Sequence, residues 1–231
     1  MPDGFCFSVA TPEKAISAGR ICFDFNGDNA IEQSRQICQK NNLPIDQASK
    51  VNIIIDNNIF TPIPADWDYD TDRSKWADIA GISPSQDQII VACKAQTEFH
   101  IITTLNKRID TLINECYGGK AHYIHPTQII SLSLPQHESA TLSIQSVGEN
   151  GYAIGKEGSK IKFVLPCRFS SEPESLFVVH KLSEIFSAKP KIEILSDNKN
   201  LNAVIKRYFA RQTKVIKSDK PYLYNVINYK R

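Results

Sequence analysis

Asp66, Asp68, Asp70 and Asp72 alternate along one acidic stretch, the spacing with which a hard cation such as calcium gathers oxygens from positions one, three and five of a loop. The match ends there. Thr71 stands where the sharp-turn glycine is needed and Ala77 where the bidentate glutamate is needed, so the stretch reads as a solvated acidic loop that favours the N-terminus of the helix after it. Cys116, His122, His125 and His137 are zinc-ligating residue types, but His122 and His125, three apart on an expected strand, point to opposite faces. No metal site is expected. Nucleophilic catalysis finds no GxSxG elbow, and no residue is assigned a catalytic role. Asp56 is the acid at the carboxyl end of an apolar strand, where open α/β sheets bind ligands, and Asp-Asn-Asn is equally an ordinary turn.

Two further strings bear on nucleic acid. Gly155-Lys156-Glu157-Gly158 is similar to the GxxG loop of KH domains, in which glycines let four nucleotides approach the backbone between two helices. Its flanks favour a hairpin turn, because Gly148-Glu149-Asn150-Gly151 lies upstream and Pro166 would stop the second helix. Near the C-terminus Lys206, Arg207, Arg211, Lys214 and Lys217 form a basic run, followed by Tyr222, Tyr224 and Tyr229. Charge for phosphates and rings for stacking suit a single strand or an acidic partner, while the same residues also complement a helix C-terminus.

Composition limits the rest. The 231 residues, 42% of them hydrophobic, can bury a real core in one large or two modest domains. Basic and acidic residues number 27 and 25, so no global field draws nucleic acid or anionic membrane. No apolar run reaches the roughly 20 residues that cross a bilayer and no signal-peptide pattern opens the chain, so a cytoplasmic location is expected. The six cysteines are scattered without CxxC spacing and read as reduced, buried small hydrophobes.

The elements that must position these residues follow from pattern. Phe5 to Ala10 and Arg20 to Phe25 read as paired strands around Thr11-Pro12-Glu13-Lys14, and a helix capped by Asp28 runs to Asn41-Asn42. Val51 to Ile55 reads as a strand covered on both faces. Pro62 and Pro64 exclude a central strand, a short helix covers Asp72 to Ala80, and Gln88 to Ala92 is a strand. Thr97 is expected to cap a long helix striped by Ile102, Leu105, Ile109, Leu112, Ile113 and Cys116 and stopped by Gly118-Gly119. In the second half come a strand at Ala121 to Ile124 and a meander turning at Asn150-Gly151 and ended by Pro166. A helix from Pro173 to Phe186, a strand at Ile192 to Leu195, a helix around Leu201 to Phe209 and a strand at Thr213 to Ile216 complete it. Hairpin, helix, strand, helix thus recurs, which predicts a duplicated α/β protein with a cleft between its halves.

With that order in place, the chain resembles a family of uncharacterised bacterial proteins, a domain-of-unknown-function family with an actin-like ATPase fold. The likeness rests on Phe7-Ser8-Val9, on Val51 to Ile55 leading into Phe60-Thr61-Pro62-Ile63-Pro64, and on the second-half meander. It implies two RNase H-like subdomains of mixed sheet and helices, residues 1–119 and 120–231. It also implies a nucleotide cleft whose candidate residues are Asp56, Gly148, Gly151, Ser196 and Asp197. ATP with magnesium is the cofactor the resemblance raises, but the phosphate-site pattern is missing. The first turn has no glycine, Ser143, Gln145 and Ser146 stand where a carboxylate is wanted, and Ser196-Asp197-Asn198-Lys199 lacks a glycine pair. Phe5 to Ala10 holds no acid for two-metal nuclease chemistry either. The leading expectation is a catalytically degenerate binding or assembly module with a protein partner. An ATPase with non-standard loops and an RNA-binding protein using the GxxG string or basic end are the alternatives.

Overall fold

A computed structural model of the chain describes residues 5–10, 15–21, Gln36, Gln39, Lys40, 51–67, 72–94, 97–134 and 139–216. The described residues fall into two units, one within Met1–His125 and one within Pro126–Tyr229. The division lies a few residues beyond position 119, because the strand that follows pairs with the first unit.

The first unit opens with β1 (Phe5–Ala10) antiparallel to β2 (Ala15–Ile21), in a register running from Phe5 opposite Ile21 to Ala10 opposite Ala15. The second strand starts five residues earlier than residue types predict. A short hairpin recruits whatever follows its turn, and the Ala/Ser/Gly-rich stretch 15–19 has little strand propensity of its own. The expected helix after Asp28 lies largely outside the described residues; Gln36, Gln39 and Lys40 within it are helical. Strand β3 (Val51–Ile54) pairs in parallel with β7 (Ala121–Ile124). It is not covered on both faces: half-buried Val51 and Ile53 alternate with exposed Asn52 and Ile54.

Between β3 and β7 the chain builds a separate three-stranded antiparallel sheet, β4 (Phe60–Pro64), β6 (Phe99–Asn106) and β5 (Gln88–Cys93), with β6 central. Helix α1 (Arg73–Ile79) lies on it, and Ile63, Ala77, Ile82 and Ile102 form the core with Trp76, Ile90 and Ala92 around them. Pro62 and Pro64 sit on the outer strand β4, where a missing N–H costs no ladder bond. The long helix expected from Thr97 is the main correction. Residues 99–106 are β6, and helix α2 (Lys107–Tyr117) starts only after Asn106, whose side chain caps it by accepting from the Arg108 N–H at 2.9 Å. Burial between two strands overrides the helical spacing of Ile102 and Leu105, and Ile101, Ile102, Thr103 and Thr104 are β-branched. The stop at Gly118 stands, with φ +52°. Tyr123 Oη donates to Asp110 Oδ1 at 2.5 Å and ties α2 to β7.

The second unit begins with helix α3 (Pro126–Ser133) and then a five-stranded sheet in the order β10-β9-β8-β11-β12. Strands β8 (Thr141–Val147), β9 (Asn150–Glu157) and β10 (Lys160–Arg168) form an antiparallel meander. Helix α4 (Glu172–Glu184), capped by Ser171, leads to β11 (Lys191–Ser196), which runs parallel to β8. Helix α5 (Lys199–Tyr208), capped by Asn198, leads to β12 (Thr213–Ile216), parallel to β11. Leu142, Ile144, Phe169, Val179, Leu182, Ile192, Ile194, Leu201 and Ile205 are all buried in one core between sheet and helices.

Two boundaries of the meander differ from expectation. The β8–β9 turn is Gly148-Glu149 rather than Asn150-Gly151: Gly148 supplies the positive φ of +59°, and Gly151 already lies opposite Ser146 in the ladder. Strand β10 continues through Pro166 to Arg168, because it is the sheet's outer strand. The Gly155 to Gly158 string ends β9 and enters the turn to β10, with Gly158 at φ +62°. It joins two strands, so the helix–loop–helix setting of a KH loop is not what surrounds it. A Cβ on Gly155 would fall 2.3 Å from the Phe163 ring, which gives that glycine a packing role.

Candidate functional site

Parallel strands β8 and β11 end side by side, with Ser146 opposite Ser196, and the chain leaves each in a turn. Every side chain from Thr141 to Ser146 is buried, since β8 is central in the sheet. Its polar residues Ser143, Gln145 and Ser146 are therefore enclosed, and none is acidic. Ser146 Oγ and Ser196 Oγ share a hydrogen bond, and the Asn198 N–H donates to Ser196 Oγ at 2.9 Å.

Above them Asn198 closes the site. Its Nδ2 donates to the carbonyl of Gly148 at 2.7 Å and to that of Phe169 at 2.9 Å, while its Oδ1 accepts from the Leu201 N–H at 2.9 Å as the α5 cap. Asp197 Oδ1 accepts from the Gly148 N–H at 2.8 Å. Asn202 Nδ2 donates to the Ser196 carbonyl at 3.1 Å, and Asn200 Nδ2 to the Ser170 carbonyl at 3.0 Å. Gly151 has no room for a side chain, since a Cβ there would lie 2.4 Å from the Gln145 carbonyl oxygen. Gly148, Gly151, Ser196 and Asp197 are thus neighbours at one end of the second unit's sheet, knotted by the chain's own amides. Asn198 is the residue that sequence reading passes over. Its signal is available: an Asn three residues before Leu201, the first residue of the Leu201, Val204, Ile205 stripe, is an N-cap.

Asp56 belongs to the first unit, exposed just after β3. Its neighbour Asn57 has the structural role: Nδ2 donates to Thr104 O and Oγ1 at 3.1 Å each, and Oδ1 accepts from the Ile59 N–H at 2.9 Å. His125, fully buried after β7, places Nε2 3.0 Å from the Asn57 carbonyl and its ring 4.4 Å from that of Phe60. Burial pushes its pKa down to about 4, against a smaller opposing effect of the Asn57 carbonyl, so it is a neutral core imidazole. No group of three or more metal-ligating side chains converges among the described residues; His137 lies outside them. Burial pushes the Cys93 and Cys167 thiols up to about 12, which keeps both protonated at neutral pH.

The basic run is dispersed. Arg207 Nη1 donates to Glu172 Oε2 at 3.0 Å, and its guanidinium sits 5.9 Å from the Tyr208 ring centre. Lys206 is exposed at the end of α5, Lys214 stands opposite Glu193 in the β11–β12 register, and Lys217 lies outside the described residues. Arg211 is exposed and joins Lys189, Pro190, Lys191, Gln212 and Thr213 around a shallow depression of about 460 Å³ at the starting ends of β11 and β12.

The fold has known counterparts. A Bacteroides thetaiotaomicron protein with an actin-like ATPase fold and unknown function is 13% identical over 98% of this chain and 92% of its own, with a TM-score of 0.73. A chain of the PilM–PilN type IV pilus biogenesis complex is 9% identical over 91% of this chain and 84% of its own, with a TM-score of 0.51. No curated protein sequence matches the chain. At such identities the likeness establishes architecture, and the chain has an actin-like ATPase fold. Over residues 1–164 the sequence matches the model of the family described as protein of unknown function DUF3822, and to that family the chain belongs.

Proposed function

We propose that this protein is a cytoplasmic, actin-like-fold module that does not turn over nucleotide and acts by binding or assembling with a protein partner. The observation that carries the reading is the contact of Asp197 with the Gly148 N–H at 2.8 Å. In an actin-like fold a glycine turn at this end of the sheet is where a phosphate would be received by backbone N–H groups. Here a carboxylate of the same chain holds that N–H. It opposes a phosphate by occupying the donor and by like charge. Asn198 spends both amide hydrogens on the Gly148 and Phe169 carbonyls, which fixes the turn in this closed form. Buried Ser143, Gln145 and Ser146 offer neutral oxygens where magnesium would need a carboxylate, so phosphoryl transfer lacks its main electrostatic support.

The paired antiparallel and parallel strands of each unit support reading them as two RNase H-like subdomains divided near residue 119. That one of the solved structures of similar fold is a pilus biogenesis complex supports a module that works through another protein. The test is phosphate release from ATP with magnesium, alongside calorimetric titration of the nucleotide. We expect neither turnover nor binding in the wild type. Turnover above background that disappears in Asp56→Ala or Asp197→Ala would overturn the reading.

A further inference from the structure

We infer that the depression at the starting ends of β11 and β12 is a docking surface for an acidic, leucine-bearing segment of a partner protein. The inference rests on the binding-module reading and names the partner's chemistry. The surface comes from two separate loops. Lys189 and Pro190 precede β11, and Arg211 and Gln212 precede β12, with Lys191 and Thr213 as the first residues of the two strands. Sequence order hides the grouping, because Lys189 and Arg211 are far apart in the chain. Both loops are held by the sheet: the Lys191 N–H donates to the Ala140 carbonyl at 2.8 Å and the Ile192 N–H to the Gln212 carbonyl at 3.0 Å. The cations are therefore carried on backbone that is hydrogen-bonded to the sheet.

Among the described residues their charge is only partly compensated. Lys189 and Arg211 have no ion-pair partner among the described residues, and Lys191 reaches Glu193 only at 3.6 Å. By contrast Arg207, four residues before Arg211 and within α5, is held by Glu172. Exposed apolar groups stand close by in the chain. Ile185, four residues before Lys189, is 49% exposed, and Tyr208, three before Arg211, is 55% exposed. Arginine and aromatic residues are enriched in protein-recognition surfaces.

Charge arithmetic separates this partner from nucleic acid. Non-specific nucleic-acid binding rests on phosphate contacts, about 6–10 of them in a strongly salt-sensitive complex. Three cations around one shallow depression fall short of that, and the chain's near-balanced 27 basic and 25 acidic residues add no long-range attraction. An acidic peptide needs fewer ion pairs, since its apolar residues gain from covering Ile185 and Tyr208.

The experiment measures fluorescence anisotropy of a labelled peptide of glutamates interrupted by leucines, with a lysine-for-glutamate peptide and an oligothymidylate as competitors. The full chain is used without nucleotide. The wild type is expected to bind the acidic peptide, more tightly at low salt. The triple variant Lys189→Glu, Lys191→Glu, Arg211→Glu is expected to lose about tenfold in affinity, about 1.4 kcal/mol. Lys199→Glu, an exposed site at the opposite ends of the strands, is expected to bind as the wild type does. Unchanged binding by a triple variant with a wild-type circular dichroism melt overturns the inference. So does absence of peptide binding by the wild type, or an oligothymidylate that binds more tightly than the peptide. None of these outcomes depends on ATP turnover, so this inference and the proposed function fail separately.

Discussion

The two units connect their parallel strands in different ways. In the second unit, β11 reaches β12 through α5 alone, and one core of sheet and helices lies beneath. In the first, the chain between β3 and β7 also builds β4, α1, β5 and β6, with a small core of their own. The connection is minimal between β11 and β12, longer between the parallel pair β8 and β11, which takes in β9, β10 and α4, and most elaborated between β3 and β7. The comparison teaches that the parallel pair tolerates a folded insertion, because what the pair requires is only that the chain return in register.

The core gives the sharpest test of that difference. Ile144→Ala, at a fully buried site in the second unit, should cost about 2–5 kcal/mol in urea denaturation. Ile82→Ala, in the insertion's small core, should cost a similar amount locally while leaving amide protection in β8 and β11 unchanged. Equal loss of protection in both places would show that the insertion is not a separate folding element.

A second difference is electrostatic: at the strand ends the first unit buries His125, a titratable group, where the second has the neutral Ser146–Ser196 pair. The folded pKa of His125, about 4, lies below the unfolded value of 6.5, so between these values the unfolded chain binds the extra proton. Stability should be full above pH 6.5 and fall as pH drops toward 4, by up to about 3 kcal/mol. Urea midpoints against pH would show it, with His125→Gln removing that part of the slope. An unchanged slope in the variant would assign the pH dependence elsewhere.

The smallest expected effect concerns the knot in the second unit. Asn198→Ala removes a helix cap and leaves the Gly148 and Phe169 carbonyls without their amide donor, for about 1–3 kcal/mol. Asn57→Ala in the first unit removes the bonds to Thr104 and provides the direct comparison. If Asn57→Ala proves the costlier change, the polar hub of the molecule is in the first unit.

The second unit was the more legible one in sequence, for physical reasons. Its elements are separated by breakers and caps: Pro173 opens a helix, Pro190 precedes a strand, Asn198 caps the last helix, and the strand at Thr213 to Ile216 is found at its expected residues. In the first unit β6 runs into α2 with no glycine or proline between them. Ile102 and Leu105 then continue by chance the stripe of Ile109, Leu112 and Ile113, and only pairing with β4 and β5 reveals the strand. The candidate site was legible as a place, because strand ends in open α/β sheets gather such residues. The contacts within it were not. Nothing local in Ser-Asp-Asn indicates that the Phe169 carbonyl waits beside Asn198, or that Asp197 turns onto Gly148.

The prolines of the outer strands reach beyond the single molecule. Pro62 and Pro64 on β4 and Pro166 on β10 lack the hydrogen that an incoming strand would need, and Lys160 and Lys162 add charge along β10. Two sheet borders are thereby closed to strand-by-strand growth. In a crowded solution or during refolding, that opposes fibrous aggregation along those two borders, where self-association has to proceed through side chains rather than through continuous backbone pairing.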